Sequence, residues 1–209
     1  MTAAPVPPRV APQVTVWFDT SCPWAWMTSR WIDEVARQRP LQVTRRLMSL
    51  GHLHEGTPVP TAFAEVLHRA LGLARVVTAA RLEHGRDVVK PLYDAIGSRV
   101  HLDGREDLDS VVREALGEVG LPATLVKVAD SDAVDRELRE EHDAAIALVG
   151  DDVGTPVVAV GDVAFFGPVV SPSPRGEDAL RLFDAVVMAG SVDGFFELKR
   201  TRTRGTILA

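Results

Sequence analysis

The chain of 209 residues has a single cysteine, and that scarcity narrows its chemistry at once. No intrachain disulfide can form, which excludes the secreted scaffolds that rely on them. There is no basic excess. The formal net charge is −6, with acidic and basic residues mixed along the chain, so a nucleic-acid partner is not expected. No uninterrupted apolar run approaches the ~20 residues needed to cross a bilayer, so no membrane partner is expected either. Met1 to Gln13 lack the basic region followed by an apolar stretch that marks a signal peptide. These absences together predict a cytosolic protein whose thiol is kept reduced. The 46% hydrophobic content suffices for one domain, or one domain carrying an insertion.

The hydrophobic pattern divides the chain into blocks. Residues 1–12, with four prolines and no periodicity, read as a disordered leader. Val14 to Phe18 is a β-branched and aromatic run, read as a buried strand. Trp26 to Arg37 is an amphipathic helix with Met27, Trp31 and Val35 on one face. Leu41 to Leu50 reads as a second strand. From 60 to 150 the spacing turns helical: around Phe63 to Leu71, over Val76 to Glu83, Val88 to Ile96 and Asp107 to Glu118, briefly after Leu121-Pro122, and again over Asp132 to Val149. Strands return at Val157 to Val160 and Val163 to Phe166, joined by Gly161-Asp162. A last helix spans Glu177 to Ala189. The expected organisation is therefore a discontinuous α/β domain (13–59 and 151–204), an all-helical insertion (60–150) and a tail (205–209).

The cysteine, Cys22, stands in Thr20-Ser21-Cys22-Pro23-Trp24-Ala25-Trp26, between the first strand and the first helix. A lone cysteine is more often a small buried hydrophobe than a nucleophile. At a helix start, however, unpaired N–H groups and the helix dipole favour the thiolate, the reactive form. Pro23 suits the first helical turn because its missing N–H has no partner there. Cys22-Pro23-Trp24-Ala25 has the frame of a Cys-x-x-Cys centre with alanine last. Ala25 removes the intramolecular attack that would resolve a mixed disulfide on Cys22.

Further along, Thr155-Pro156 precedes a strand and is a candidate cis peptide, although the base rate for X-Pro bonds favours trans. A cis proline facing the thiol would turn the Thr155 backbone outward to pair with an extended ligand. Trp17, Trp24, Trp26 and Trp31 gather around Cys22 in sequence. They could form a platform for a flat aromatic substrate, with Trp24 the most exposed and Trp17 and Trp26 as binding candidates. About half of these tryptophans are expected in the core. His54 is a candidate polar wall near Cys22. His52, His54 and Glu55 fall short of a structural zinc set, so no metal is expected. His68, His84, His101 and His142 read as solvated, as does the acidic stretch from Asp130 to Glu141. Lys199, Arg200, Arg202 and Arg204 read as a solvated basic tail, or else as one that folds back to hold a polar thiol.

Cys22-Pro23-Trp24 after Trp17-Phe18-Asp19, together with Gly154-Thr155-Pro156 before the hairpin, resembles the DsbA-like branch of the thioredoxin superfamily. More specifically, the chain resembles the actinobacterial mycothiol-dependent nitroreductases. The matching residues include Thr28-Ser29-Arg30-Trp31, Met48-Ser49-Leu50, Phe165-Phe166-Gly167-Pro168-Val169, Pro174-Arg175-Gly176-Glu177 and Phe195 to Thr203. The resemblance implies a thioredoxin-like fold interrupted by an all-helical insertion, and mycothiol or another low-molecular-weight thiol as cosubstrate. It makes Cys22 the nucleophile. Ala25 stands where the family has a second cysteine, either as a natural monothiol variation or as a replacement.

The leading expectation is thus a thiol-dependent oxidoreductase acting through Cys22, with Thr155 and Pro156 shaping a groove for a small thiol and a small aromatic or disulfide substrate. One alternative is a kappa-class-like thiol transferase in which Cys22 only hydrogen-bonds a bound thiol. Another is a redox-inactive binding module. Either a monomer or a homodimer fits.

Overall fold

The computed structural model describes residues 11–208, so most of the expected leader lies outside the described residues. Four strands form one sheet: β1 (Gln13–Phe18), β2 (Gln42–Leu47), β3 (Val157–Val160) and β4 (Val163–Phe166). Their spatial order is β2-β1-β3-β4. β1 runs parallel to β2 and antiparallel to β3, and β3 pairs antiparallel with β4. The β3–β4 turn places Gly161 at φ +61°, a conformation that glycine adopts without strain.

The alternation within β1 builds two layers. Val14 and Val16 pack with Val158, with Trp31, Ile32 and Val35 of α1 (Pro23–Gln38), and with Ala179 and Phe183 of α7 (Gly176–Gly190). Trp31 pins the two helices together, its Nε1–H donating to the Ala179 carbonyl at 2.9 Å. Trp17 points to the opposite face, where it packs with Met48, Val157, Ala159 and Ala145 of α6 (Asp135–Val149).

Between β2 and β3 lie α2 (Leu50–Leu53), α3 (Thr61–His84), α4 (Val89–Gly97), α5 (Leu108–Glu118) and α6, with 3₁₀ turns at Arg86–Val88 and Ala123–Asp130 and a π-turn at Ser98–Leu102. Their core is continuous with the sheet end that carries Phe18, Cys22 and Leu47. The two helices expected over Phe63–Leu71 and Val76–Glu83 are one helix of 24 residues. Gly72 lies within it against Ala129 of the 3₁₀ turn, where an added methyl group would sit at ordinary contact distance, 3.4 Å from the Ala129 carbonyl oxygen. The second strand ends at Leu47 rather than Leu50, because Ser49 caps α2 by accepting from the His52 N–H at 3.2 Å.

The acidic stretch is not a solvated face throughout. Glu141 is buried, accepts from the Leu47 N–H at 2.9 Å, and pairs with Arg86 at 2.7 Å. That bond fastens α6 to the end of β2.

Candidate active site

Cys22 is the N-cap of α1, and the chain reaches it through a turn organised by Asp19. The Asp19 carboxylate is fully buried. Its Oδ1 accepts from the Ser21 N–H at 2.8 Å and the Ser21 hydroxyl at 2.6 Å, and its Oδ2 accepts from the Leu50 N–H at 2.8 Å. One side chain therefore sets both the turn before Cys22 and the start of α2. Pro23 follows in the first turn of α1, as the sequence suggests.

The Cys22 thiol donates to the Thr155 carbonyl at 3.5 Å, and the Thr155–Pro156 peptide is cis. Two distant segments thus meet at the sulfur. The expectation of a ready thiolate needs correction. Cys22 is only 7% exposed, and burial pushes its pKa up. The Thr155 hydroxyl, unpartnered while the thiol holds its proton, and the Ala25 and Trp24 amides favour the thiolate and pull it down, while the Asp19 charge adds to the rise. Desolvation outweighs the helix start. The resting state is therefore a covered thiol.

α4 and the π-turn after it pack on the residues around Cys22. Tyr93 stacks on Phe18 with ring centroids 3.9 Å apart and meets Trp26 edge-on at 5.5 Å. His101 lies tilted against Trp26 at 5.5 Å, with its Nε2 3.2 Å from the Thr20 carbonyl. Burial lowers the His101 pKa to about 4, so the ring is neutral and can donate that bond. The Arg30 guanidinium covers Trp26 at 4.2 Å and pairs with Asp94. Gly97 lies flush on the Trp26 ring, with no room for a side chain between them.

Several buried polar atoms here have no hydrogen-bond partner among the described residues: Thr20 Oγ1, Thr155 Oγ1, Trp26 Nε1 and Tyr93 OH. An unmet hydrogen bond of this kind costs about 1–3 kcal/mol. Of these residues, Thr20 precedes Cys22 by two positions and Thr155 meets it through its carbonyl.

The candidates from sequence separate into two groups. Cys22, Pro23, Trp24, Ala25, Thr155 and Pro156 come together at one site. Trp24 is half-buried against the Cys22 cluster, whereas Trp17, Trp26 and Trp31 are buried. Trp17 belongs to the α6 side of the sheet, so it offers no platform to a substrate at Cys22. Trp26 lines the site from inside, closed off at 2% exposure. His54 faces elsewhere: its Nδ1 is 2.9 Å from the Leu50 carbonyl and its ring meets Phe63 edge-on. His101 and His142 are buried, contrary to the solvated reading, while His68 and His84 are exposed.

Asp19, Tyr93 and His101 are residues of the site that the sequence did not single out for it, whereas Arg202 entered only within a tail read as solvated or folded back. Tyr93 carried a signal, being the only tyrosine in the chain and lying within an apolar helical stretch. Arg202 is unexpected in its contact. The tail folds back, and this guanidinium sits over the Trp24 ring, 4.7 Å from its centroid. No group of three or more potential metal ligands occurs among the described residues.

With this geometry in place, the comparisons are decisive on family. A family model described as "Mycothiol-dependent nitroreductase Rv2466c" matches residues 21–200. The chain belongs to this Rv2466c-like family. The Rv2466c-like chain is also 27% identical to the uncharacterized protein Rv2286c of Mycobacterium tuberculosis, over 89% of its own length and 80% of the relative's. Among solved structures, a probable DsbA oxidoreductase from Streptomyces coelicolor superposes with a TM-score of 0.59 at 18% identity, covering 92% of this chain and 94% of the other. A 2-hydroxychromene-2-carboxylate isomerase gives 0.58 at 18% identity, covering 84% and 94%. A thioredoxin-like oxidoreductase from Silicibacter pomeroyi gives 0.55 at 20%, covering 88% and 90%. These neighbours establish a DsbA-like thioredoxin fold with a helical block between its second and third strands. The family that the chain belongs to is described as one of mycothiol-dependent nitroreductases.

Proposed function

We propose that this protein is a cytosolic oxidoreductase that works through Cys22 alone, with mycothiol or a similar small thiol as cosubstrate. The single observation that carries the reading is the meeting of the Cys22 thiol with the Thr155 carbonyl at the start of α1, in a chain with no second thiol. Family membership supports the choice of thiol. The unpartnered hydroxyls of Thr20 and Thr155 fit a polar ligand beside the sulfur.

In the proposed reaction the Cys22 proton leaves, and the Trp24 and Ala25 amides and the Thr155 hydroxyl stabilise the thiolate. The thiolate attacks one sulfur of a disulfide substrate. The old S–S bond breaks, one half departs as thiolate, and the other half stays bonded to Cys22. A second small thiolate then attacks that mixed disulfide and frees Cys22, forming a new disulfide in solution. The Ala25 side chain, fully buried one turn on, has no group that could attack the mixed disulfide. Trp24 presents the half-exposed aromatic surface at the mouth.

Intact mass after incubation with mycothiol disulfide tests this. One mycothiol unit on Cys22, removed by added mycothiol, is the expected result. An unmodified protein under conditions that modify free cysteine refutes it.

One observation favours a second reading. The buried, protonated Cys22 is placed to donate a hydrogen bond, as a thiol transferase would need if a bound small thiol were the nucleophile. Transferase activity that survives Cys22→Ser would select that reading.

A further inference from the structure

The basic tail is not free in solvent. Ser171 clasps it twice: its hydroxyl donates to the Gly205 carbonyl at 2.7 Å and accepts from the Ile207 N–H at 3.0 Å. Leu208 packs against the same apolar cluster that holds Cys22 and borders Trp24. Between the tail's start and this clasp, Arg202 stacks on Trp24. The clasping loop is itself tied to α1, because the Thr28 hydroxyl donates to the Pro168 carbonyl at 2.8 Å.

The charges in the tail are uncompensated. Lys199, Arg200, Arg202 and Arg204 carry one sign on a chain of net charge −6. None has a carboxylate within salt-bridge distance among the described residues. A guanidinium lying over an indole keeps its edge N–H donors free, and that edge matches a carboxylate in bidentate fashion. Trp24 is two residues from the reactive sulfur and is the only tryptophan with appreciable exposure.

We propose that the segment 199–208 is a strap across the Cys22 mouth, and that Arg202, held on Trp24, selects substrates carrying a carboxylate close to the reacting atom. This inference rests on Cys22 being the reacting thiol. Trp24 supplies the flat surface for an aromatic group, Arg202 the anion contact at its rim, and Cys22 the sulfur. The other three cations raise the local concentration of anions without fixing their orientation.

Two aromatic disulfides of opposite charge character test it: dithiobis(nitrobenzoate), with two carboxylates, and dithiodipyridine, uncharged at neutral pH. In each case the Cys22 thiolate displaces one coloured arylthiolate and retains the other aryl group as a mixed disulfide, so second-order rates are read from absorbance. Arg202→Ala is expected to lower the anionic-to-neutral rate ratio by about threefold to tenfold, and Arg202→Glu to lower it further. Arg204→Ala should change it less than about twofold, and added salt should shrink the wild-type preference. A ratio that ignores Arg202, that falls equally with Arg204→Ala, or two rates that drop together in Arg202→Ala would overturn the assignment while leaving Cys22 as the reacting thiol. Failure of the wild type to react with either reagent would overturn both readings.

Discussion

The sulfur of Cys22 and the carbonyl oxygen of Thr155 lie 3.5 Å apart although 133 residues separate them in the chain. The contact joins the helix start that favours a thiolate to a buried setting that opposes one, and burial prevails. The alkylation rate of Cys22 should therefore inflect above the pKa of free cysteine. Thr155→Val, which removes a hydroxyl able to donate to the thiolate, should move the inflection higher still. The sign for stability follows from the same shift. The folded state holds the thiol proton more tightly than the unfolded chain, so this contribution is complete below the unfolded pKa and is lost as pH rises through the folded one. An inflection below that of free cysteine would contradict the burial argument.

Asp19→Asn separates the charge of this residue from its hydrogen bonds. Burial is the main cause of the raised Cys22 pKa, and the Asp19 charge adds to it. Removing the charge should bring the alkylation inflection down. An amide cannot accept on both sides as the carboxylate does, so the Ser21 or Leu50 N–H loses its partner, at a cost of about 1–3 kcal/mol in urea unfolding.

His101 should remain neutral throughout the physiological range. Its folded pKa of about 4 lies below the unfolded value, so it contributes stability that is present above the unfolded pKa of ~6.5 and is lost as pH falls through 4. The full effect is about 3 kcal/mol. His52 and His142 are shifted the same way, mainly by burial, so the comparison needs a variant. His101→Gln should lose less stability than wild type between neutral pH and pH 4, and the ring's NMR titration should report the low pKa directly.

Gly97→Ala should be felt at the site. The new methyl group would overlap the Trp26 ring, which has Arg30 on it and Tyr93 and His101 beside it. A loss of about 1–3 kcal/mol is expected, as for other overpacked interiors, with a change in tryptophan fluorescence. Wild-type stability and an unchanged spectrum would show that the ring has room to move.

Ala25→Cys should convert a persistent adduct into a transient one. After mycothiol disulfide, the wild type should keep one thiol unit on Cys22. The variant should expel it and lose two hydrogens, because a neighbouring thiol acts at a high effective concentration. An adduct equally long-lived in both proteins would show that position 25 cannot reach the Cys22 sulfur.

Legibility from sequence varied with how local the cause was. The β3–β4 hairpin was readable because two short apolar runs flank Gly161-Asp162, and the structure has the same bounds. Cys22 at a helix start was readable from Pro23 and the pattern after it. Its burial was not, because the apolar cluster it joins draws on residues of the helical block such as Tyr93, distant in sequence and on elements whose own pattern speaks only of a helix. The single long α3 was missed because the apolar spacing shows as two stretches, Phe63 to Leu71 and Val76 to Glu83, with no apolar period to join them. Trp17 was misjudged because sequence proximity to Cys22 hides the alternation that sends it through the sheet. The fold-back of the tail is one of two readings its basic run allows, but the seat of Arg202 on Trp24 depends on a chain reversal clasped by Ser171.

The strand order has a consequence for synthesis. β1 leaves the ribosome long before β3, yet one of its two edges is matched only by that later strand. Until Val157 to Val160 emerge, Val14 to Trp17 present unpaired amides and apolar faces, with most of the helical block already translated. A nascent chain stalled before that point is a target for chaperones and for aggregation, since pairings between distant segments form late. The cysteine cannot meet its carbonyl partner until 133 further residues have been translated.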